Sequence, residues 1–161
     1  MYLLDTNHCS RILSNHPVMS QKLRETNYEQ VKTCFVVESE LYFMAYRSEK
    51  FTENLFQVSD FLKAIEVIRC DSGVARYYGE LKAKVLDKFG PKEKSKRRKY
   101  NLKKAGISEN DLWIASVALA HNLTVVSIDS DFQRIKDAEP NLKIECWLTD
   151  RVVIEEVEDI G

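Results

Sequence analysis

The chain has 161 residues, 44% of them hydrophobic and 30% charged, with a formal net charge of −1. That length suits one domain with a real core and is too short for two comfortable ones, and the composition is ordinary for a soluble globular protein. No apolar run approaches the roughly 20 residues of a membrane span, and an opening segment with no basic region and an aspartate at position 5 reads against a signal peptide.

In chain order, Met1–Leu4 is predicted as a short buried strand, followed by a helix capped at Thr6 or Asn7 and running to about Ser14. Pro17 suits the first turn of a second helix, through about Thr26. The β-branched and aromatic run Val31–Val37 predicts a strand. Residues 38–47 then predict a helix, from the spacing of Leu41, Met44 and Ala45. Thr52–Ile65 repeats the helical pattern, Glu66–Cys70 predicts a third strand, and Ser72–Phe89 another helix. Gly90-Pro91 breaks it, and Gly106 ends the segment that follows. Ser108 is a good N-cap for a helix through about His121. Thr124–Ile128 predicts a strand, Phe132–Lys136 a short helical turn and Lys143–Trp147 a last strand. Short continuous apolar strands alternating with helices predict an α/β fold, a parallel sheet covered on both faces. One domain is expected over 1–148, with an acidic tail over 149–161 that sets Asp150, Glu155, Glu156, Glu158 and Asp159 against Arg151.

Acidic residues punctuate this pattern. Asp5 ends Tyr2-Leu3-Leu4, Glu40 follows Cys34-Phe35-Val36-Val37, Asp111 heads an apolar helix, and Asp129 closes Thr124–Ile128 with Asp131 two positions on. Ligands of open α/β sheets gather at the carboxyl ends of strands. Carboxylates gathered there repel one another unless protonated or neutralised by a cation. An all-oxygen ligand set favours Mg²⁺ or Mn²⁺. Such a cation lowers the pKa of bound water and offsets charge on a phosphoryl group, which phosphodiester hydrolysis needs. Thr6, Asn7 and Ser127 stand beside the acids and can orient carboxylates or water. Each acid also has a plainer explanation. Asp5 and Asp129 can cap helices, Asp111 can complete a capping box with Ser108, and Glu40 can face solvent in a first helical turn. Four independent caps, however, have no reason to converge on one sheet edge.

Residues 88–106 hold nine basic side chains against Glu93, a local charge of +8 that leaves −9 for the rest of the chain. Such a block is either a solvated loop or a site for a polyanion. Lys96, Arg97, Arg98, Lys99, Lys103 and Lys104 are the candidate contacts for such a polyanion, because Lys and Arg supply sequence-independent affinity for phosphate. Cys9, Cys34, Cys70 and Cys146 are widely spaced and read as buried reduced thiols in a reducing cytosol. His8, His16 and His121 show no metal-ligand spacing.

Four segments together resemble a known family. Leu3-Leu4-Asp5-Thr6-Asn7 resembles the opening motif of PIN-domain ribonucleases. Ser39-Glu40-Leu41-Tyr42 resembles the acidic segment of the VapC-type toxins within that superfamily. Asn110-Asp111-Leu112-Trp113-Ile114-Ala115-Ser116 resembles their helix start, and Ser127-Ile128-Asp129-Ser130-Asp131-Phe132 their closing motif. The matches follow family order over nearly the whole chain. The resemblance implies a three-layer α/β/α sandwich and Mg²⁺- or Mn²⁺-dependent endoribonuclease activity. It implies that Asp5, Glu40, Asp111 and Asp129 hold the metal, with Asp131 as a fifth or substitute. It also implies the toxin half of a toxin–antitoxin pair, a homodimer and a cognate antitoxin partner, while the cysteines suit a cytoplasmic protein. Met44 departs from the family's usual glycine, Glu38 competes with Glu40, and the basic segment is longer than usual.

Two other enzymes also place acids at strand ends. Asp129-Ser130-Asp131 has the look of a haloacid-dehalogenase-like phosphatase, but that motif belongs near the start of its domain. A response-regulator receiver needs paired N-terminal acids and a downstream lysine that the order here does not supply. A PIN-like binding module without catalysis is the non-enzyme alternative, and metal-dependent cleavage separates it from a nuclease.

Overall fold

A computed structural model describes residues 1–148; the acidic tail lies outside the described residues. Five parallel strands, β1 (Tyr2–Leu4), β2 (Val31–Cys34), β3 (Glu66–Ile68), β4 (Thr124–Val126) and β5 (Lys143–Glu145), form one sheet in the order β3-β2-β1-β4-β5. Leu3 pairs with Lys32 on one side and Val125 on the other, so β1 is central. From β1 the chain winds outward through β2 to β3, then crosses to β4 and winds outward to β5. The winding reverses between β1 and β4, the kind of switch point where such sheets bind ligands.

Nine α-helices lie on the two faces among the described residues. Helices α1 (Thr6–Leu13), α2 (Pro17–Glu25), α3 (Phe35–Tyr46) and α4 (Phe51–Ala64) pack with one another. Helices α5 (Ser72–Phe89), α7 (Leu102–Ala105), α8 (Glu109–Ala120) and α9 (Ser130–Ala138) form the second layer, with α6 (Lys94–Arg97) between α5 and α7 in the chain. This is the expected α/β/α sandwich. Leu3, Leu4, Val125 and Val126 are fully buried between the layers, against Leu112, Ile114, Phe132 and Ile135 from one side and Val37 and Leu41 from the other.

Several boundaries differ from the sequence reading. The predicted strand Val31–Val37 ends at Cys34, and Phe35, Val36 and Val37 open α3 instead. The reason is pairing: β2 finds its last partner at Cys34↔Ile68, so the next residues satisfy their backbone in a helix. An apolar run cannot by itself distinguish strand from buried helix. The strands expected over Glu66–Cys70, Thr124–Ile128 and Lys143–Trp147 are also only three residues long, and the turn expected over Phe132–Lys136 is the nine-residue helix α9.

The basic segment is no structureless loop. Two short helices, α6 and α7, cross it, and Leu102, Ala105 and Ile107 are buried in the core. Arg134 Nε donates to the Ala105 carbonyl at 3.0 Å, tying α7 to α9. Gly106 ends α7 with φ of +69°, a left-handed backbone that suits glycine, and turns the chain toward Ser108. All four cysteines are free; Cys9 and Cys34 are buried and Cys146 is half-buried, but Cys70 is exposed, a correction to the expected buried thiol.

Candidate active site

Each acid reaches its place by an ordinary local rule. Asp5 leaves β1 with extended backbone and caps α1: its Oδ1 accepts the His8 amide hydrogen at 2.7 Å. Asp129 stands three residues beyond β4 and caps α9, accepting from the Asp131 amide at 2.9 Å. Ser108 caps α8; its Oγ accepts the Asp111 amide at 3.0 Å and its hydroxyl donates to Asp111 Oδ2 at 2.5 Å. Glu40 lies in the second turn of α3, six residues past β2, where the shortened strand puts it. Capping and clustering are thus compatible. A capped helix start places its carboxylate at the end of a strand, and the sheet brings those ends together.

Asp5, Thr6, Asn7, Glu40, Ser108, Asp111 and Asp129 line one open cleft of about 210 Å³. Carboxylate oxygens of Asp111, Asp129 and Asp131 lie within 4.8 Å of one another. Asp5 forms the buried floor, 3% exposed, and Asp129 the solvent-facing rim. The hydroxyl of Ser127 donates to Asp5 Oδ2, and its Oγ accepts the Asp129 amide at 2.9 Å, joining the ends of β1 and β4. Thr6 Oγ1 donates to Glu40 Oε2, while Asn110 Nδ2 donates to Glu40 Oε1 at 2.5 Å, so α3 is tied to α1 and to α8. Asp131 Oδ2 accepts the Ser108 amide at 2.8 Å, tying the end of the basic segment to α9.

The competitor Glu38 turns elsewhere and pairs with Arg69. Met44 lines a separate cavity with Leu13, Leu41 and Val58 and does not enter the acidic cleft. That cavity is larger than the cleft, as is one lined by Tyr77, Glu80, Lys84 and Glu139. The smaller cleft is the better candidate, because four carboxylates line it and none has a Lys or Arg partner among the described residues. Asn110 and His8 are the site neighbours that sequence reading missed. Asn110 was visible only as part of a motif, and His8 only by its spacing of three from Asp5.

The electrostatics state what the cleft lacks. Among the described residues, no Lys or Arg pairs with Glu40, Asp111, Asp129 or Asp131. Burial pushes the Asp111 carboxyl up to about 7, and the charges of Asp129, Asp131 and Glu40 push the same way, against the hydrogen bond from Ser108. A carboxyl held near 7 by burial and by neighbouring acids is one that a cation would return to its ionised form. The donors are all oxygens and do not fill a coordination shell, so they fit a hard divalent cation with positions left for water and substrate.

The PIN domain family matches residues 2–138. The chain belongs to the PIN-domain family. Within it, the chain is 30% identical over 150 residues to Ribonuclease VapC2 of Rickettsia felis, covering 91% of this chain and 98% of that one. It is 26% identical over 147 residues to the tRNA(fMet)-specific endonuclease VapC of Salmonella typhimurium, covering 91% and 97%. The fold matches VapBC2 from Rickettsia felis bound to a DNA fragment from its promoter, with a TM-score of 0.71 over 91% of this chain and 98% of that chain at 30% identity. It matches DNA-bound VapBC from Salmonella typhimurium with a TM-score of 0.73 over 91% and 97%, at 26% identity. The resemblance in the four motifs is therefore one of family, and the chain is a PIN-domain ribonuclease of VapC type.

Proposed function

We propose that this PIN-domain ribonuclease is a Mg²⁺- or Mn²⁺-dependent endoribonuclease and the toxin of a toxin–antitoxin pair. The observation that carries the reading is the convergence of Asp5, Glu40, Asp111 and Asp129 on one cleft with no Lys or Arg partner among the described residues. Asp5, Asp111 and Asp129 would hold the metal, with Glu40 and Asp131 completing the acidic set. When bound, a divalent cation supplies a water ionised near neutral pH and offsets charge on the scissile phosphate. Ser108 orients Asp111, and Thr6 and Asn110 orient Glu40 toward the cleft. Asn7, exposed at its mouth, is placed to meet substrate.

The basic segment would guide RNA. It leads directly into Ser108, so a phosphate chain lying along it arrives at the cleft. Arg97 is partly engaged, with Asp87 and the Pro91 carbonyl, and Lys96 pairs with Glu93. Arg98, Lys99 and Lys103 pair with no acid among the described residues and are freer to meet phosphate. The VapBC relatives support a cognate antitoxin as partner, and free cysteines suit the cytoplasm, where the chain would act as a homodimer. Among the described residues no helix is long and apolar enough to cross a membrane.

The test is cleavage of a mixed pool of structured RNA by purified protein with Mg²⁺, with Mn²⁺ and with EDTA, beside Asp5→Asn and Asp111→Asn. Cleavage should need metal and fall at least about 10³-fold in either variant, while both keep the native circular dichroism. Full activity in both variants would reject the acidic site. RNA binding without cleavage under any metal would favour a PIN-like binding module.

A further inference from the structure

His8 is fully buried on α1, directly behind the floor of the cleft. Its Nδ1 lies 2.8 Å from Asp5 Oδ1, and its Nε2 is buried with no hydrogen-bond partner among the described residues. Leaving a buried polar atom unpaired costs about 1–3 kcal/mol. An apolar residue would fill the same volume without that cost, and an N-cap needs only the backbone amide, which Asp5 Oδ1 already accepts from the same residue at 2.7 Å. The imidazole is therefore not explained by packing or by capping.

A donor count explains it. A carboxylate that holds a metal has no hydrogen to give, so in a metal site His8 Nδ1 would be the donor of this contact. A carboxylate offers about four lone-pair positions, two on each oxygen. The amide and the ring of His8 occupy both positions of Oδ1. The Ser127 hydroxyl occupies one position of Oδ2. One lone pair of Oδ2 is left.

We propose that His8 is a positioning residue for the metal site: with its amide it closes Oδ1, so that Oδ2 is the oxygen through which Asp5 would hold a cation. The inference rests on the metal-dependent reading above. Without the ring donor, Oδ1 regains a free lone pair, and Asp5 is no longer confined to one arrangement. Hydrogen bonds that orient metal-binding groups commonly carry 10–100-fold in metal affinity.

The experiment is calorimetric titration of Mn²⁺ into the wild-type protein, His8→Leu and His8→Asn, with thermal unfolding in EDTA alongside. His8→Leu removes the ring donor and keeps an apolar side chain; its Mn²⁺ affinity should fall about 10–100-fold. In His8→Asn the amide Nδ2 stands near the former Nδ1, and most of the affinity should return. A folded His8→Leu that binds Mn²⁺ within twofold of wild type overturns the assignment, since a purely structural role moves the melting temperature alone. If His8→Leu does not fold, the wild-type protein decides through the ¹⁵N-coupled proton spectrum of its imidazole. A hydrogen on Nδ1 whose signal shifts as Mg²⁺ saturates the site is expected; Nδ1 without hydrogen, or a signal indifferent to Mg²⁺, overturns it. Wild-type protein that neither binds Mn²⁺ nor cleaves RNA rejects the metal-dependent reading and this inference with it. Wild-type binding together with unchanged binding by His8→Leu rejects the inference alone.

Discussion

Asp111 shows how one side chain can serve a helix and oppose it. Its amide hydrogen is capped by Ser108, yet its carboxyl is crowded by burial and by three other acids until it titrates at about 7. The sign of the resulting pH dependence follows from linkage. The unfolded carboxyl ionises at its ordinary value near 3.8, the folded one near 7, so between them the folded state holds the extra proton. Stability of the metal-free protein therefore falls, on this group's account, as pH rises from about 4 to 7 and is flat above. Asp111→Asn keeps an oxygen for the Ser108 hydroxyl and removes the charge. Its melting temperature in EDTA at pH 8 should exceed wild type by several degrees, and the difference should vanish at pH 4. Calorimetry at the two pH values checks this. The charge at Asp111 was legible in the sequence. Its crowding was not, because Asp129 and Glu40 lie far away in the chain.

At the scale of elements, the helix starts carry the site. Ser108 both caps α8 and orients Asp111, so Ser108→Ala should cost about 1 kcal/mol in stability and also reduce cleavage. Urea unfolding and the RNA assay, run on the same preparation, separate the two effects. The segment between α5 and α8 is where sequence reasoning was least complete. Its charge pattern was plain, but its anchorage by Leu102, Ala105 and Ile107 was hidden, because three apolar residues among many lysines show no periodicity. That anchorage ties α7, with Lys103 and Lys104 on it, to the core. Neutralising Arg97, Arg98 and Lys99 to glutamine should weaken RNA binding and flatten its dependence on salt, by about 0.7 in logarithmic slope for each single-strand phosphate no longer neutralised. Filter binding over a series of KCl concentrations measures both, and unchanged affinity would remove the segment from the RNA surface. The boundary between β2 and α3 departs from the sequence pattern for a different reason. Phe35-Val36-Val37 satisfies a strand and a buried helix equally, and only the length of the neighbouring strands decided between them.

For the whole molecule, the sheet is a device for collecting charge that the fold by itself would reject. The ends of β1 and β4 lie side by side at the reversal of the winding, and α3 and α8 bring Glu40 and Asp111 to the same place. A cation bound there stabilises the folded state by mass action, about 2.7 kcal/mol at one hundred times its dissociation constant. The melting temperature should thus rise with Mg²⁺ concentration, more steeply at pH 8 than at pH 5, where the Asp111 proton competes for the site. EDTA should reverse the rise. A melting temperature indifferent to Mg²⁺ at both values would mean that the cleft holds no such ion.

The sequence by itself determined the alternation of strand and helix, the identity of the acids and the family to which they belong, because these rest on local pattern and on motifs in order. Tertiary structure decided where β2 stops, that Glu38 leaves for Arg69 while Glu40 stays, that Leu102 pins the basic segment, and that His8 backs Asp5. Each of these depends on how the chain is arranged in space, which is set by the register of the sheet and the packing of its two helical layers.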